Sequence, residues 1–172
     1  MKAARLVLQW AHEKESAMVS WWKRLVYSFM SAVLGAGVSG ACGAAQQVVS
    51  NAHGHLSAMA VWTAILFFDP WVVALSLPGW FLALPLVLLV RDVRGWRFWI
   101  YWIIGICFGP AIVLIVNWIA AMRGFSLAGI PGGLTAALYL AAAISGLSSL
   151  IYLLLLRREQ TKAAFQARAT VV

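Results

Sequence analysis

Charge is what this chain has least of. Its 172 residues include 13 Lys and Arg but only 5 Asp and Glu, so 10% of the chain is charged and 63% is hydrophobic. Soluble domains carry roughly 25% charged and about 45–50% apolar residues. A core filled by this chain could not be coated by so few charges, and the mean hydropathy of +0.88 points the same way. The shortage excludes a soluble globular domain and a disordered chain, and two cysteines are too few for a disulfide scaffold. A membrane protein is what remains.

Reactive groups are equally scarce. The acids Glu13, Glu15, Asp69, Asp92 and Glu159 are scattered along the chain. Acyl or phosphoryl transfer needs a nucleophile, a base and often paired carboxylates on one face, and that spread does not supply them. No glycine-rich phosphate loop precedes a Lys-Ser or Lys-Thr pair, and no zinc-protease helix motif occurs. Of the three histidines, His12 lies in the N-terminal arm and His53 and His55 in a loop. His53, His55 and Asp69 are the weak candidates for a metal, yet a site takes three or four ligands. Solvated loop histidines are the better reading, and neither a metal nor a cofactor is expected. Cys42 and Cys107 each stand alone inside an apolar run and are expected to be buried as small apolar residues. Ionisable groups inside a membrane usually mark an ion pathway. Here Asp69 sits at an edge, Asp92 lies among arginines, and Asn117 is the strongly polar residue deep in a run. That weighs against proton-coupled transport.

Long apolar runs are what the chain does have. A bilayer core about 30 Å thick takes roughly 20 apolar residues in a helix. Four runs qualify, at about 25–49, 71–90, 98–122 and 134–156. They do not alternate as barrel strands would, so the backbone must satisfy itself as helices. The second run is the irregular one. Leu56 to Phe68 is apolar, but Asp69-Pro70 follows, and Pro78 and Pro85 come later. Proline removes a donor and crowds the preceding turn. The favoured reading is a proline-broken helix starting near residue 56; the alternative is a re-entrant or interfacial piece followed by a short span.

Basic residues set the expected orientation. Lys2, Arg5, Lys14, Lys23 and Arg24 precede the first span; Arg91, Arg94 and Arg97 separate the second and third; Arg157, Arg158, Lys162 and Arg168 follow the fourth. Arg123 alone falls on the other side. Both termini are therefore expected in the cytoplasm, and the net charge of +8 reflects topology and anionic lipid rather than nucleic acid. Trp21, Trp22, Trp71, Trp96, Trp99 and Trp118 fall near span ends, as interfacial indoles do. Trp80 and Trp102 lie deeper and read as packing residues. Residues 1–24 form an arm in which Leu6, Val7, Leu8, Trp10 and Ala11 oppose Arg5, Gln9, His12 and Glu13, a pattern suited to the interface plane. The arm's basic region is too long for a cleaved signal, and Ser39-Gly40-Ala41-Cys42 matches a lipoprotein box poorly.

The strongest local signal is small residues four apart. Ser31, Gly35, Ser39 and Gly43 share one stripe of the first span, with Ala32, Ala36, Gly40 and Ala44 beside it. Gly105 and Gly109 mark the third span, and Ala137, Ala141, Ser145 and Ser149 the fourth. Lipid gives helices little hydrophobic reason to associate, so close backbone approach must hold them. Two stripes on one helix exceed what a single neighbour covers, which leaves room for self-association or a larger complex.

The expected fold is all-α: a polytopic four-helix membrane bundle over 25–156, with a basic cytoplasmic tail at 157–172. The expected partners are anionic lipid, at the Arg91, Arg94 and Arg97 turn, and either a second copy or a larger membrane complex. The leading function is a non-enzymatic accessory, assembly or self-associating membrane component. A small-solute channel lined by the Ser/Gly/Ala stripe is the alternative, and a lipid-modifying enzyme the less favoured third.

Overall fold

The computed structural model describes residues 21–51, 58–90, 92–93, 95–125, 129 and 132–169. The arm before Trp21, His53, His55, Arg91, Arg94 and the side chain of Asp69 lie outside the described residues. Four long helices account for nearly all of the rest, with no strand among the described residues. They are α1 (Trp21–Asn51), α2 (Ala58–Leu89), α3 (Trp96–Ala121) and α4 (Gly133–Ala169). All four are long and apolar enough to cross a membrane.

Helix α4 outruns its expected end, and α2, which begins close to the favoured start near residue 56, is helical through its prolines. Helix α2 is assigned without interruption from Ala58 through Pro70, Pro78 and Pro85 to Leu89. In lipid a helix is the form that keeps the other backbone groups paired, so tolerating three missing donors is cheaper than unwinding. Helix α4 does not end with its apolar run; its 37 residues continue through Arg157 to Ala169. At about 1.5 Å per residue such a helix outruns a bilayer core by several turns. The extension holds because Leu153 and Leu156 are buried below it and Gln160 within it.

Helix α1 packs along both α2 and α4, and α4 along α3 as well, whereas α2 and α3 barely touch. The result is three tight seams and one loose one. Where α3 ends, Gly124 takes φ +82°. Its amide donates to Ala121 and the Phe125 amide to Ala120, at 3.0 Å each. This closing pattern needs a left-handed residue, which glycine supplies without strain.

Burial is uneven along the bundle. The most apolar eighteen-residue stretches within α2 and α3 contain no buried residue. The buried cluster lies at one end, where Val90 and Val93 of the α2–α3 link meet Phe98, Tyr152, Leu153 and Leu156. Lys23, Arg24, Arg97, Arg157, Arg158 and Lys162 belong to the same end, tied by contacts from Arg24 to Val90, Lys23 to Glu159 and Arg157 to Phe98. Trp21, Trp22, Trp71, Trp96, Trp99 and Trp118 are all exposed.

Cys42 and Cys107 are exposed, not buried as expected. Both lie on outward stripes: Val26, Met30, Leu34, Val38 and Cys42 are all exposed along α1, as are Ile100, Ile103, Cys107 and Leu114 along α3. Where lipid is the solvent, a small thiol facing outward carries no penalty that would drive it inside.

Candidate functional site: small-residue seams and a polar cluster

The seams are built from small residues, each met by a named neighbour. On α1, Ser31, Ser39 and Gly40 are buried. A Cβ added at Gly35 would lie 2.7 Å from the Ser148 backbone nitrogen and 2.9 Å from its Cα. Gly105 lies against the Ser149 side chain, and a Cβ at Gly109 would sit 2.9 Å from the Ala141 carbonyl carbon and 2.6 Å from Ser145 Oγ. Thus Gly35 meets one face of α4, and Gly105 and Gly109 meet another. Gly43 differs, since a Cβ there would meet nothing within 4 Å. Both α2 and α4 pack on α1, and within this chain they cover Ser31, Gly35, Ser39 and Gly40 of its two stripes but leave Gly43 exposed.

Polar side chains in the spans bond between helices. Pro110 has no amide hydrogen, so the Ile106 carbonyl loses its intrahelical donor. Ser145 Oγ of α4 lies 3.2 Å from that carbonyl and 2.7 Å from its own Ala141 carbonyl. Its single proton can serve either. Trp102 Nε1 donates to the Gly146 carbonyl at 3.0 Å, and Trp80 Nε1 to Ser28 Oγ at 3.2 Å. Both deep tryptophans thereby fasten one helix to the next.

We expect Ser145→Ala to cost about 0.5–1.5 kcal/mol in the parent, in line with interhelical hydrogen bonds in membranes. In a Pro110→Ala background, where residue 110 can donate to Ile106 itself, the cost should shrink. A double-mutant cycle on unfolding in mild detergent measures it, and equal costs in both backgrounds would disprove the pairing.

A second polar cluster closes the basic end. Helix α2 has no basic residue in its last turn, so its final carbonyls need donors from elsewhere. Arg24 of α1, only 5% exposed, supplies them. Its Nη1 donates to the Val90 carbonyl at 2.7 Å, with the Leu88 carbonyl at 3.4 Å. The Tyr152 hydroxyl of α4 donates to the Val87 carbonyl at 3.1 Å, and Gln160 Oε1 accepts from the Val93 amide at 3.4 Å. Three helices and the α2–α3 link are thus joined through the unpaired end of α2. Sequence reading missed this cluster, counting Arg24 only as a topological charge.

The remaining expected sites are less assembled. Arg97 pairs with Asp92 at 3.5 Å, while Arg91 and Arg94 lie outside the described residues. Asn117 is half-buried on α3. No group of three or more His, Cys, Asp or Glu side chains able to hold a metal occurs among the described residues. No family model matches the chain, and neither the curated proteins nor the solved structures offer a match.

Proposed function

We propose that the protein is a non-enzymatic integral membrane component, an accessory or assembly subunit or a self-associating protein, with both termini in the cytoplasm. The observation that carries this reading is the division of labour among its surfaces. The polar groups described above bond to other parts of the chain, whereas the apolar stretches of α2 and α3 have no buried residue. A partner within the membrane would meet those two helices rather than the stripes of α1. A pore lined by the Ser/Gly/Ala stripe is less favoured, because Ser31, Ser39 and Gly40 are buried between helices. Anionic lipid is the small partner, drawn by the basic end.

Purification in mild detergent followed by native mass spectrometry tests the reading. A stoichiometric second subunit or a defined oligomer is expected. Solute flux from liposomes holding only this protein would replace it with a channel. Reporters fused after Arg158 should read cytoplasmic, and reporters near Gly54 or Gly124 external. A cytoplasmic signal at Gly54 would overturn the orientation.

A further inference from the structure

Helix α4 carries its charged residues past the end of its apolar run, and contacts between helices fix the depth they reach. Lys23, next to the exposed Trp21 and Trp22, pairs with Glu159 at 3.6 Å. The Arg157 guanidinium lies over Phe98, 5.9 Å from the ring centre, and Phe98 stands in sequence between the exposed Trp96 and Trp99. Indoles gather at the membrane–water boundary. The belt therefore brackets residues 157–162, at the level of the lipid headgroups.

At that level a shallow trough runs along the outer face of α4, lined by Leu154, Arg157, Arg158, Thr161, Lys162 and Phe165. Their spacing by threes and fours puts them on one side of the helix. The nearby acid, Glu159, is bonded to Lys23 and Lys162. Neither Arg157 nor Arg158 forms an ion pair among the described residues. Two guanidinium groups lining one trough suit phosphate oxygens, which such groups grip bidentately. Leu154, one turn toward the bilayer, offers an apolar wall that an ion alone would not use.

We propose that this trough binds the phosphate of an anionic phospholipid. Arg157 and Arg158 hold the phosphate, and an acyl chain passes Leu154. Arg97, which Asp92 engages at 3.5 Å, does not line the trough. The inference rests on the basic end lying at a membrane surface, as the proposed function has it.

The test uses the full chain in detergent, titrated with phosphatidic acid and followed by native mass spectrometry. Arg157→Gln/Arg158→Gln should weaken retention roughly thirtyfold, the equivalent of about 1 kcal/mol per cation, while Arg123→Gln, an exposed cation past the far end of α3, leaves it unchanged. Arg158→Gln alone, at an exposed position, should lose about fivefold by the same measure and serves if the double variant does not fold. Equal retention in parent and Arg158→Gln, or equal loss in Arg123→Gln, would overturn the site. Displacement of the lipid by millimolar inorganic phosphate would show a free-phosphate site and also overturn it. A reporter after Arg158, read in every variant, keeps a failed orientation separate from a failed site.

Discussion

Arg24→Met should cost the protein about 2–4 kcal/mol of stability, more than any other single side-chain truncation at the basic end. The guanidinium is buried and donates to the α2 terminus, at 2.7 Å from the Val90 carbonyl. A hydrogen bond involving a charged group contributes roughly 1.5–3 kcal/mol, and a buried acceptor left without a donor adds its own desolvation cost of about 1–3 kcal/mol. Methionine keeps much of the apolar stem, so packing loss is small and the missing donor dominates. Arg24→Lys should fall between Arg24→Met and the parent, since an ammonium on a shorter stem keeps the charge but does not place a donor where Nη1 meets the Val90 and Leu88 carbonyls. Tyr152→Phe removes one neutral hydrogen bond, to Val87, and should cost about 1 kcal/mol. Denaturant titration in mild detergent, read by tryptophan fluorescence, gives the order. If Arg24→Met unfolds at the parent midpoint, the carbonyl contacts do not hold the helix ends together.

The four helices were legible because lipid imposes a coarse rule: a backbone with no water around it must pair with itself over the whole thickness of the bilayer. That rule fixes the count of spans and most ends to within a few residues, as at Trp96–Ala121 against an expected 98–122. The same rule erases finer signals. Composition could not show that α2 is assigned as helix straight through three prolines, because the surrounding apolar residues fit a span on either side of a break. Nor could hydropathy follow α4 beyond Leu156. The extension is held by Leu153, Leu156 and Gln160 turning inward while Arg157 and Arg158 turn outward, a helical alternation at the edge of an otherwise uniform run.

Sites were legible in proportion to how local their chemistry is. Small residues four apart are a pattern within one helix, so the stripes of α1 could be named before their neighbours were known. Which neighbour meets which stripe depends on packing order, and that is where Gly43 parts from Gly35. The Arg24 cluster was hidden for the opposite reason. Its members are 64 and 66 residues apart, and the acceptors are backbone carbonyls that carry no residue identity. A readable trace existed all the same. Helix α2 ends without a glycine or a basic residue to satisfy its carbonyls, and the α1 sequence places Arg24 directly before its apolar run. An end that cannot cap itself and a cation that cannot reach water call for each other.

Gly109→Leu and Gly43→Leu should separate by at least 2 kcal/mol although both put the same side chain on a glycine of an apolar helix. At Gly109 an added Cβ would crowd the Ala141 carbonyl carbon at 2.9 Å as well as Ser145 Oγ. A serine hydroxyl can rotate away, but a neighbouring backbone cannot, so α3 and α4 must move apart. Overpacking costs about 1–3 kcal/mol where side chains can yield, and separation here would also weaken the Ser145 and Trp102 contacts across the seam. We expect about 3 kcal/mol for Gly109→Leu. Gly35→Leu should follow it, because the Ser148 backbone lies equally close. At Gly43 the added atom meets nothing within 4 Å, and the residue it resembles then is Leu34, which is exposed on the same helix. Leucine also has the better helix propensity, by roughly 0.5–1 kcal/mol over glycine, so Gly43→Leu should be neutral or slightly stabilising. Unfolding midpoints for the three variants, together with oligomer size by native mass spectrometry, decide the matter. Equal midpoints at Gly109 and Gly43 would mean that the α3–α4 seam is not closed by backbone contact. A change of oligomer size confined to Gly43→Leu would instead assign that outward position to contact with another chain, since nothing within this one lies near enough to be displaced.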